Sequence, residues 1–123
     1  MLAAEAIRPL CTSPATLVPR IPRTPLTAAE LRAELPGNTF YSGPNHTFFD
    51  ATGMIYSAGP DFVDVGRWTI TSEGEFCRTW NVSDRARHRC FRVYRDGEAF
   101  EMHPVDRWFV ATFKRVRGNP ERY

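Results

Sequence analysis

The chain predicts an all-β fold, an antiparallel up-and-down barrel of about eight strands, on three observations. From Asn38 onward the sequence falls into short runs rich in aromatic and β-branched residues. Turn-forming clusters of Gly, Pro, Asn, Asp and Ser cut those runs near 42–45, 50–53, 58–61, 72–74, 95–97 and 104–106. Two of the runs, at 76–80 and 89–94, carry one cysteine each, about equally far from the tip between them. Short connections make neighbouring strands antiparallel, and a series of them most simply curls until no edge is left exposed. A two-sheet sandwich is the alternative, because strands this short need not close.

Two units are expected, an arm over 1–25 and a helix-plus-barrel domain over 26–123. In the arm, Pro9, Pro14, Pro19, Pro22 and Pro25 recur too closely for regular helix and suit an extended chain. Within 26–37 one short helix is expected: Thr27 and Glu30 make a capping box, Leu26 and Leu31 a hydrophobic staple, and Pro36-Gly37 a stop. Leu31 and Leu35 share a face of that helix, which should dock on the core as a lid over one barrel end. Strands are expected near 38–42, 46–50, 54–58, 65–71, 75–80, 88–95, 98–103 and 108–116. Alternation along them selects Phe40, Phe48, Ile55, Trp68, Ile70, Phe91, Val93, Phe100, Phe109, Ala111 and Phe113 as the core.

A hairpin over the two cysteine runs places Cys77 opposite Cys90, within bridging distance, so a Cys77–Cys90 disulfide is expected. Such bridges persist in the periplasm or outside the cell. Ala4-Glu5-Ala6 fits the small-x-small pattern of an export cleavage site and points the same way. Cys11 is left as a free or intermolecularly paired thiol. Sixteen basic and 14 acidic residues give a net charge of +2, too balanced for nucleic acid as the main partner. No apolar run reaches the roughly 18–20 residues of a transmembrane segment.

Chemistry is sparse in the pattern. His46, His88 and His103 stand at no ligand spacing to one another, so no metal is expected. The aspartates occupy turns, where they bond local backbone, and no nucleophile, zinc or phosphate-loop motif is present. The expectation is a protein that is not an enzyme and has no cofactor. Arg85, Arg87, Arg89, Arg92 and Arg95 crowd the cysteine hairpin beside Trp80 and Tyr94, and alternation assigns them mostly to solvated faces. Arg85 and Arg87, with Arg20 and Arg23 of the arm, are the candidates for contact with a partner.

Asn38-Thr39-Phe40, the Asp50-x-x-Gly53 turn, Gly66-Arg67-Trp68, Phe76-Cys77-x-x-Trp80 and the run from Arg89 to Gly97 together resemble a group of small exported bacterial proteins with lipocalin-like barrels. They are similar, more loosely, to bacterial inhibitors of secreted metalloproteases. The likeness spans about residues 27–119. Gly66-Arg67-Trp68 resembles the G-x-W of the calycin group, although about three strands precede it here. That resemblance implies that Trp68 plugs one barrel end beneath a late-strand arginine, the part of Arg115. The inhibitor resemblance implies a barrel with one disulfide and an N-terminal segment that enters a protease cleft, the part of residues 1–25.

The function expected is therefore a non-enzymatic periplasmic or secreted barrel acting through contacts with a protein partner, as an accessory subunit or a protease-inhibitor-like binder. The alternative is a carrier of a small apolar ligand, with Trp68, Trp80, Phe91, Phe113 and Arg115 in the barrel core or against the ligand. An empty apolar cavity with its mouth beside the helix would mark the carrier, and a filled interior the partner-binding protein.

Overall fold

Thr27 opens the helix as expected: its Oγ1 accepts the Glu30 N–H at 3.2 Å while Glu30 Oε1 accepts the Thr27 N–H at 2.8 Å. The structure, a computed structural model, describes residues 24–82 and 87–123. Most of the proline-rich arm, with Cys11, Arg20 and Arg23, lies outside the described residues, as does Arg85 at the hairpin tip. Helix α1 spans Ala28–Glu34, and the chain then runs through β1 (Asn38–Ser42), β2 (Asn45–Phe49), β3 (Met54–Gly59), β4 (Phe62–Ile70), β5 (Phe76–Trp80), β6 (His88–Asp96), β7 (Ala99–Pro104) and β8 (Ala111–Arg117).

The strands follow one another around a closed antiparallel barrel, β1 to β8 in sequence order. Closure rests on β1 pairing with β8, where Phe40 faces Arg115 and Thr39 faces Val116, so the sandwich alternative does not apply. Outward positions carry Arg67, Thr69, Arg92, Thr112 and Lys114, all exposed, whereas the inward face is mainly aromatic and aliphatic. That polarity is the inverse of a membrane-spanning barrel. Among the described residues no helix is long and apolar enough to cross a membrane.

Leu31 and Leu35 of the helix segment are fully buried and seat α1 across the barrel end where β1, β3, β5 and β7 begin. Leu26 is tied there by its N–H to Val93 O at 2.8 Å. Beneath the helix the rings meet edge to face: Phe100 on Phe40, Phe40 on Phe49, and Phe49 on both Trp68 and Phe76, with centroids 5.0–5.3 Å apart. Gly66 allows the close approach of β5, since a Cβ there would lie 2.1 Å from the Thr79 carbonyl oxygen of the adjoining strand.

Two core expectations are corrected. Phe49, not Phe48, points into the barrel; Phe48 is buried on the outside, stacked near Tyr56 and Tyr123. Two consecutive phenylalanines make alternation ambiguous, and a shift of one residue exchanges the faces. Phe109 is 39% exposed, because β8 starts at Ala111 rather than at 108. The β7–β8 ladder ends at the Met102–Ala111 pair, just before Pro104, whose ring nitrogen has no hydrogen to donate. Strand β4 also starts earlier than expected, at Phe62.

Candidate functional site: the open barrel end

Opposite the helix, the barrel is not filled. A cavity of about 220 Å³ lies between Phe40, Phe49, Phe76 and Phe91 on the helix side and Arg78, Trp80, Arg89 and Phe109 towards the other end. Ile55, Met102, Ala111 and Phe113 complete its apolar wall. Strand register sets this layering: Phe76 faces Phe91 in the lower layer, and Arg78 faces Arg89 two residues nearer the open end. The mouth therefore lies away from the helix, not beside it. A groove beside the helix, lined by Arg32, Thr52, Trp68 and Ile70 among others, shares no residue with the cavity.

The disulfide organises the mouth. Cys77 and Cys90 are bonded at 2.04 Å, directly opposite each other in the β5–β6 ladder. Fixing that pair fixes the next, Arg78 against Arg89, and the strand period turns both arginines inward. The Arg78 guanidinium lies over the rings of Phe91 and Trp80 at 5.2 and 5.3 Å, and its Nη1 donates to the Arg87 carbonyl at 3.4 Å. Burial, and then the neighbouring Arg89 charge, push its pKa down to about 10. Arg89 lies over Phe109 at 5.7 Å, its side chain only 9% exposed. Its Nε is buried without a hydrogen bond, the Asp106 carboxylate standing 3.5 Å away. The charges of Asp64 and Asp106 act on Arg78 in the opposite direction, and Asp64 Oδ1 also accepts the Val65 and Val82 N–H groups at 2.8 and 3.0 Å.

Trp80, Phe91 and Phe113 line the cavity as expected of ligand-contact candidates. Trp68 and Arg115 belong to the closed end. Trp68 meets Phe49, and its Nε1 donates to Asp50 O at 2.9 Å. Arg115 is buried over Phe100, its Nε and Nη2 donating to Glu98 at 2.7 and 2.9 Å and its Nη1 to Glu34 of α1. It clamps the helix onto the barrel. Arg87 is exposed, and its carbonyl accepts from both Arg78 and the Trp80 N–H at the hairpin tip.

Sequence reasoning missed Arg78 and misplaced Arg89, which is buried rather than solvated. The signal was present: once Cys77 is set opposite Cys90, their neighbours must also pair, and Arg78 shares the face of Phe76 and Trp80. The same hairpin brings His88 near the two sulfurs, its Nε2 3.9 Å from Cys90 Sγ. In the oxidised protein the sulfurs are bonded to each other, so neither offers a thiolate to a metal.

Fold and cavity together define an eight-stranded antiparallel barrel with one end lidded and the other holding an apolar, arginine-bearing pocket. Comparison with known proteins gives no family model, curated protein or solved structure that matches the chain.

Proposed function

We propose that this protein is a non-enzymatic barrel of an oxidising compartment, periplasmic or extracellular, that holds a small, largely apolar ligand in its open end. The cavity carries this reading. It exceeds the ~150 Å³ of an apolar cavity that takes up benzene, and its lining couples aromatic walls to a few convergent polar groups. A disulfide on the hairpin that forms the mouth favours a compartment where such bonds persist. The test is titration of the folded chain with toluene and indole, followed by amide chemical shifts. Saturable shifts grouped around Phe49, Phe91 and Phe113 are expected; their absence removes the reading.

A second reading, contact with a protein partner, draws on a different observation. The turns and the start of β4 at the open end expose Val63, Val82, Val105, Val110 and Trp108, the last at 92%. Such a rim suits an accessory subunit or an inhibitor-like binder that presents its open end, with the arm over 1–25 adding reach. Equal affinity for a captured partner before and after deletion of 1–25 would remove the arm from this reading, and equal affinity of Trp108→Ser would remove the rim.

A further inference from the structure

Resting on the ligand-binding reading, we infer that the open end selects an amphipathic monoanion, a small aromatic or branched carboxylate, with its apolar part among the phenylalanines and its carboxylate between Arg78 and Arg89. Two arginines directly opposite in an antiparallel ladder repel each other, yet the register locked by Cys77–Cys90 holds them so, at the top of an otherwise apolar chamber. Arg89 presents a buried Nε with no hydrogen bond, on a side chain more than nine-tenths buried and lining the cavity. Asp106, half exposed, pairs with that nitrogen in charge at 3.5 Å without a hydrogen bond.

A carboxylate fits these two guanidiniums. It accepts from guanidinium forks in their own plane and carries one charge to set between two. The aromatic faces behind both guanidiniums restrict their swing, so a bound anion meets donors already ordered. The direction of the Arg78 shift agrees: burial and Arg89 lower its pKa by more than Asp64 and Asp106 raise it, and a bound anion adds to the side that favours its charge. Size sets the rest of the ligand, since about 220 Å³ accommodates one ring and a short link but not a long acyl chain.

The test compares phenylacetate with its neutral analogue phenylacetamide by calorimetry on the oxidised, full-length protein at low and high salt. We expect phenylacetate to bind about tenfold to a hundredfold more tightly, as for one or two charge-assisted hydrogen bonds, and salt to weaken only the acid. In Arg78→Met/Arg89→Met the preference should vanish while the amide still binds. In the lysine double variant part of the preference should return. Equal affinities for acid and amide in the unmodified protein overturn the anion inference but leave the apolar pocket standing. Saturable binding of neither overturns both. Because that comparison needs no substitution, a double variant that fails to fold does not protect the idea.

Discussion

Arg78 and Arg89 face each other across the β5–β6 ladder one residue along from the disulfide, both turned into the barrel. Like charges directly opposite in a sheet oppose pairing. A double-mutant cycle with Arg78→Met and Arg89→Met in the ligand-free protein should therefore give a repulsive coupling of about 0.5 kcal/mol by urea unfolding. A coupling that is zero or attractive would show that the pair is already neutralised.

The bridge that enforces this pairing should also stabilise the fold. Cys77 and Cys90 are 13 residues apart, and closing a loop of that size is worth about 3 kcal/mol in the chain-entropy picture. Replacing both by alanine should lower the unfolding free energy by about that amount and speed amide exchange around Arg78. Unchanged stability would mean that the register of β5 and β6 is held by other contacts.

Gly66 and Gly59 make a paired test of backbone approach. At Gly66 an added Cβ meets the fixed Thr79 carbonyl, so Gly66→Ala should cost about 1–3 kcal/mol through displacement of β5. At Gly59 the nearest atom is Asn45 Oδ1, also at 2.1 Å but on a side chain able to rotate. The ring of Phe62 is the next contact, at 2.8 Å. Gly59→Ala should accordingly be the milder change in thermal melts.

The helix clamp predicts a pH dependence. Arg115 holds the Glu98 carboxyl below its ordinary pKa of 4.5. A carboxylate with a depressed folded pKa contributes stability above its unfolded value and loses that contribution as pH falls through the folded one. Melting temperature should thus decline below about pH 4.5, and Glu98→Gln should flatten part of that decline. Arg115→Met should lower the melting temperature at neutral pH, since Glu98 loses its bidentate partner while Glu34 keeps Arg95.

At the far side of the sequence, the C-terminal residues are pinned by Tyr41, whose hydroxyl donates to Glu121 at 2.6 Å. This bond, more than desolvation, pushes the phenol up to about 12 from its ordinary 10.0. The tether is present below pH 10 and is lost as pH rises through about 12, which a tyrosinate absorbance titration compared with Tyr41→Phe should show. Glu121→Gln should bring the phenol back towards 10.0.

The amino-acid sequence by itself determined the helix with its cap, the eight strands to within a few residues, the cysteine pair and most of the core, since all of these follow from local period and turn chemistry. It did not separate Phe48 from Phe49, because a strand's two faces are told apart only when neighbouring residues differ in polarity. Nor did it find the pocket: alternation puts Arg78 on the face of Phe76 and Arg89 on that of Phe91, but whether that face encloses a chamber is not a local property. Barrel closure decided that. Curling the sheet made one face a chamber, α1 sealed one end, and the other end keeps a cavity bordered by Arg78, Trp80, Arg89 and Phe109.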